Sequence, residues 1–80
     1  MQFYMRIRYK EQMGIIKQVG TICDNYGVSI YSIQQKPDTD YFVLITETAL
    51  VSAVRKIAID IEATPWCTGE TFFMPALIGQ

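Results

Sequence analysis

Apolar and polar residues alternate from Phe3 to Tyr9, with Phe3, Met5, Ile7 and Tyr9 on one side and Tyr4, Arg6 and Arg8 on the other. A period of two predicts a half-buried strand. The period then changes. Ile15, Ile16, Val19, Ile22, Cys23 and Tyr26 recur at gaps of three and four, which makes one stripe of a helix from Ile15 to Tyr26. Gly27 suits a left-handed cap at its end. A second strand is predicted from Val28 to Gln35, with Val28 and Ile30 toward the helices and Ser29, Tyr31 and Ile33 outward. That outward strip is apolar enough to mark a contact surface. Lys36 to Asp40, punctuated by Pro37, reads as a turn. Tyr41 to Thr46 is apolar on both faces, which predicts a central strand paired with the second as a hairpin. Leu50, Ala53, Val54, Ile57, Ala58 and Ile61 return to helical spacing inside a helix from Ala49 to Ala63. Thr46 or Thr48 is its expected N-cap, and Thr64-Pro65 ends it. Thr71-Phe72-Phe73-Met74 opens a last strand, and Pro75, which lacks a ladder donor, fits an edge.

The order is strand, helix, strand, strand, helix, strand. This split βαβ pattern is an α+β, ferredoxin-like βαββαβ fold, with a four-stranded antiparallel sheet and two helices on one face. The other face is left for water or a partner. Residues 1–80 are expected to be one domain with its core at about 3–78.

Composition narrows the function classes. Seven basic and eight acidic residues are dispersed along the chain, so no basic patch points to nucleic acid. No apolar run approaches the ~20 residues that cross a bilayer, so no membrane partner is expected. Met1 to Arg6 enters a strand pattern directly, so no signal peptide is expected. Cys23 and Cys67 lack metal spacing, and Cys23 lies on the apolar helix face as a free thiol. A reduced, cytoplasmic setting follows as the expectation. The chain has no histidine, which removes Ser-His and Cys-His pairs and imidazole metal ligands. Neither a P-loop nor a GxGxxG run occurs. No catalytic residue, metal or cofactor is therefore expected in this chain. Asp38, Asp40, Asp60 and Glu62 read as solvated charge. Arg6 and Arg8 share a strand face and need acidic neighbours, for which Glu47 and Glu70 are candidates.

The stretch Tyr9 to Ile16 joins the first strand to the first helix, with Gly14 at the corner. A glycine there permits a sharp turn and close approach to the main chain. The first helical N–H groups lack intrahelical partners and carry partial positive charge. Such a corner is either a seat for a small anionic or zwitterionic ligand or a plain connection.

Arg6 to Ile16, then a helix, then Tyr26-Gly27-Val28-Ser29-Ile30, resembles an ACT domain, a small regulatory module that binds amino acids. The family pattern is acidic or Asn, any residue, Pro, Gly, then two aliphatics. Gly14, Ile15 and Ile16 keep it, whereas Glu11 stands for Asp or Asn and Met13 for Pro. Without the proline the loop is less stiff. The likeness spans about Phe3 to Ile78. A narrower likeness is to the C-terminal ACT domain of homoserine dehydrogenase. It rests on Ser29-Ile30-Tyr31-Ser32-Ile33-Gln34-Gln35-Lys36, which carries a Ser-Ile-x-Ser-[Val/Ile]-x-Gln-Lys pattern, and on Val43-Leu44-Ile45-Thr46-Glu47.

The resemblance implies a parent enzyme using NAD(P), between aspartate semialdehyde and homoserine, with this chain as its regulatory piece. It also implies a homodimer through a sheet edge or strand two. An amino acid, threonine or one like it, would sit between the first corner of one subunit and the second strand of the other. Glu11, Gln12, Met13, Gly14, Ile15 and Ser29 are the implied ligand-binding residues. Glu11 would hold the ammonium, N–H groups from Gly14 to Ile16 the carboxylate, and Ser29 a carboxylate or hydroxyl. The alternatives are a ligand-free dimerisation module and a stand-alone ACT protein.

Overall fold

The computed structural model describes residues 1–36 and 38–76. Pro37 in the expected turn, and residues 77 and 78 at the end of the expected core, lie outside them. The elements are β1 (Gln2–Arg8), α1 (Ile15–Asn25), β2 (Ile30–Gln35), β3 (Tyr41–Thr46), α2 (Val51–Glu62) and β4 (Phe72–Ala76). The strands form one antiparallel sheet in the order β2-β3-β1-β4, so β3 and β1 are central and β2 and β4 are edges. This is the ferredoxin-like βαββαβ arrangement expected from the hydrophobic periods.

Alternation along the central strands decides the two sheet faces. Phe3, Met5 and Ile7 of β1 and Phe42 and Leu44 of β3 are buried together with Ile15, Val19 and Cys23 of α1 and Val54, Ile57, Ala58 and Ile61 of α2. Both helices therefore cover one face. Phe73 of β4 closes the core edge-on to Phe3, with ring centroids 6.2 Å apart. Burial raises the Cys23 thiol from 9.0 to about 11, with Asp24 a lesser contributor, so it is a protonated core residue at neutral pH.

Several local expectations are corrected. The second strand starts at Ile30, and Val28 is buried in the connection before it. A register shift between Ile30 and Ser32 makes Tyr31 the extra residue of a bulge. One inserted residue reverses the faces that follow. Ile33 therefore pairs with Leu44 and packs on the core instead of joining Tyr31 outside.

α2 starts at Val51, and Leu50 is its N-cap with no side-chain cap bond. Leu50 is 75% exposed, outside the stripe in which it was placed. Thr46 is not a helix cap. It is fully buried, and its Oγ1 accepts the Phe3 N–H at 3.0 Å. Thr46→Val keeps the volume and orphans that donor, so it is expected to cost about 1–3 kcal/mol in a urea melt. An unchanged midpoint would contradict this role.

Charges also settle differently. Arg8 pairs with Asp40 at 2.6 Å, not with Glu47 or Glu70. Arg6 lies against the Tyr41 and Phe72 rings. Asp60 accepts a hydrogen bond from the Tyr26 hydroxyl at 2.6 Å, which together with lesser desolvation and charge effects raises the phenol's pKa. Glu62 accepts the Thr71 N–H. Of the four acids read as solvated, three tie separate segments together: Asp40 and Asp60 do so across more than thirty residues, and Glu62 across the loop that leads to β4.

Candidate ligand-binding site

The base of the β1–α1 corner is pinned by backbone bonds to two other segments. The Tyr9 N–H donates to the Asp40 carbonyl at 2.9 Å, and the Lys10 N–H to the Trp66 carbonyl at 2.8 Å. Trp66 is 1% exposed, and its indole N–H donates to Gln18 Oε1 at 2.9 Å. This ring, one turn past the end of α2, holds the corner to α1. Its place went unread in the sequence, although a lone tryptophan directly after a helix-ending proline was a usable signal.

Past that base, Glu11, Gln12, Met13 and Gly14 are exposed, Met13 almost completely. Gly14 is the N-cap of α1 at φ 83°, ψ 6°. This is the left-handed region, where a Cβ is penalised, and the space a Cβ would enter there is open. The first intrahelical bond runs from the Gln18 N–H to the Gly14 carbonyl at 3.0 Å. No side chain caps α1, and no acidic residue stands in its first turn. Among the described residues the N–H groups of Ile15, Ile16 and Lys17 thus remain available, at the positive end of an eleven-residue helix. Ile15 itself is buried in the core, so it offers only its main chain.

Ser29 is exposed just before β2, and its carbonyl accepts the Glu47 N–H at 2.8 Å. It lies at the opposite end of the sheet from Gly14. β2 begins opposite Thr46 and ends opposite Phe42, beside the end of β1. Gln35 at the far end reaches Tyr9, its Nε2 donating to the hydroxyl at 3.5 Å. At ~3.3 Å per residue, the length of β2 separates Ser29 from the corner by about 15 Å or more. A single chain brings Glu11, Gln12, Met13, Gly14 and Ile15 together and leaves Ser29 apart.

No group of three metal-ligating side chains occurs among the described residues, and no helix among them is long and apolar enough to cross a membrane. No protein-family model matches the chain, and neither does any curated protein. Solved structures do match. A homoserine dehydrogenase from Thiobacillus denitrificans superposes with a TM-score of 0.83 and 23% identity, over 91% of this chain and 16% of that one. The ACT domain of GTP pyrophosphokinase from Chlorobium tepidum matches at 0.69 and 11% identity, over 91% and 96%. The chain shares the ferredoxin-like fold of these proteins, an ACT domain among them. It spans about a sixth of the length of the homoserine dehydrogenase it matches. Acylphosphatase from Bacillus subtilis matches equally well, at 0.70 and 14% identity, over 98% and 89%. Likeness at these identities places the backbone, and function has to be argued from the site.

Proposed function

We propose that this chain is an amino-acid-sensing regulatory domain that works as a homodimer, as the C-terminal ACT domain of an NAD(P)-dependent homoserine dehydrogenase. The observation that carries the reading is the Gly14 corner, where unspent helix N–H groups, a left-handed glycine and the exposed Glu11 carboxylate stand within one short loop. An α-amino acid offers a carboxylate and an ammonium, the two charges this corner complements. The Ser29–Lys36 pattern and the superposition on part of a homoserine dehydrogenase support the choice of parent.

Topology supports the dimer. β2 is an edge strand. Two copies joined antiparallel through β2 set the Ile30 end of one strand against the Gln35 end of the other. That delivers the partner's Ser29 toward the corner, and each chain supplies half of two equal sites. A ligand in such a site favours the pairing geometry that closes it, and only that preference gives control. A coupling of about 1–3 kcal/mol is typical.

Thermal melts with a panel of amino acids test the reading. Threonine or a close analogue at millimolar concentration is expected to raise the melting temperature, and sedimentation to show a dimer. A panel without any shift would remove the sensing function, and a strict monomer at high concentration would remove the shared site.

A further inference from the structure

The sheet face turned away from both helices holds a groove of about 520 Å³ lined by Tyr4, Arg6, Ile45, Phe72, Met74 and Pro75. Strand register puts these residues together. Tyr4 stands between Ile45 and Met74, and Arg6 stands beside Phe72. Phe72 and Met74 are each about half exposed, at 49% and 48%, so the groove is apolar and open. The apolar strip expected along strand two is therefore centred instead on β1 and β4.

One charge interrupts this surface. The Arg6 guanidinium carbon lies 5.4 Å from the Tyr41 ring centroid and 5.5 Å from that of Phe72, between two aromatic faces. Its neighbour Arg8 is paired with Asp40. Arg6 has no carboxylate partner among the described residues. Its planar fork of donors is held at one end of an apolar trough with no acceptor to match it.

The geometry points to a binding site for a small carboxylate with an apolar alkyl or aryl body, seated on Tyr4, Ile45, Phe72 and Met74 with its carboxylate on Arg6. The volume is in the range of small-ligand sites, which are mostly apolar with a few placed polar groups. A guanidinium fork matches a carboxylate through two parallel hydrogen bonds. A second copy fits less well, because a two-fold contact across this face would bring the Arg6 and Arg8 rows of both chains together. A zwitterionic α-amino acid fits less well too, since its ammonium would lie next to the Arg6 guanidinium. The site is thus separate in place and in ligand chemistry from the Gly14 corner, and it stands whether or not that corner binds an amino acid.

Titration of the ¹⁵N-labelled chain with 3-phenylpropionate and with octanoate, followed by amide shifts, tests this. Saturating shifts are expected at Tyr4, Ile45, Phe72 and Met74, with none at Gly14 to Lys17. Arg6→Gln, on an exposed position and checked by its melt, is expected to weaken binding about tenfold, as is replacing 3-phenylpropionate by 3-phenylpropanamide. Arg6→Lys keeps the charge without the fork and should fall between. The proposal is overturned if shifts on this face fail to saturate at millimolar ligand, if the carboxamide binds as tightly as the carboxylate, or if Arg6→Gln leaves affinity unchanged. Concentration-dependent shifts at Phe72 and Met74 in the ligand-free protein, the mark of self-association through this face, would overturn it as well.

Discussion

Trp66→Ala is expected to lower folding stability by about 3–5 kcal/mol, the usual cost of truncating a fully buried large aromatic. A chain of 80 residues has a total stability on the order of 4–12 kcal/mol, so this variant would lose about a quarter of it or more. Two losses combine. The indole fills a fully packed position in the core, and its N–H satisfies Gln18. The same residue's carbonyl holds Lys10 at the base of the corner, so the loosened segment is also the candidate site. Trp66→Phe keeps an aromatic ring in the core while forfeiting the hydrogen bond and part of the indole volume, so it should cost less than Trp66→Ala. Urea melts followed by circular dichroism read both. A Trp66→Ala midpoint within about 1 kcal/mol of the parent chain would contradict this placement.

Gly14→Val is the second large effect. A β-branched residue at φ 83° is expected to cost about 1–2 kcal/mol through backbone strain, although no atom blocks its Cβ. The functional loss should be greater. Ligand at a hundred times its Kd adds about 2.7 kcal/mol to the folded state. The variant should lose that whole increment, because its turn no longer aims the first N–H groups of α1. Gly14→Ala should behave in between. A Gly14→Val chain that keeps the full thermal response to an amino acid would show that the corner is only a connection.

The parts of the fold that sequence made legible are those where one periodicity sufficed. Phe3, Met5 and Ile7 alternate, α1 repeats at three and four, and β3 is apolar throughout, so each element could be read without knowing its neighbours. What escaped depends on pairing across the chain. The bulge at Tyr31 exists only relative to β3, and it reversed the side on which Ile33 falls. Thr46 looked like a cap because threonine often is one, but the free N–H of Phe3 claimed it. Asp40 looked solvated until the hairpin returned it to Arg8.

The candidate site divides along the same line. Gly14 was legible because a glycine ahead of an aliphatic helix start has a conformational meaning of its own. That Ser29 lies a strand's length away from it is a fact of topology, visible only once the sheet order is known. The separation makes the shared dimer site a strict requirement of the proposed function.

Subunit mixing tests that requirement most directly. Gly14→Val and Ser29→Val chains, each as its own homodimer, should bind no amino acid, since every site has one defective half. Mixed in equal amounts and allowed to exchange, half of the dimers become mixed, and each mixed dimer carries one site with both halves intact. Calorimetric titration should then recover about one quarter of the parent's binding sites at parental affinity. Recovery of no sites in a sample shown to have exchanged, or full binding by either variant alone, would contradict a site built from two chains.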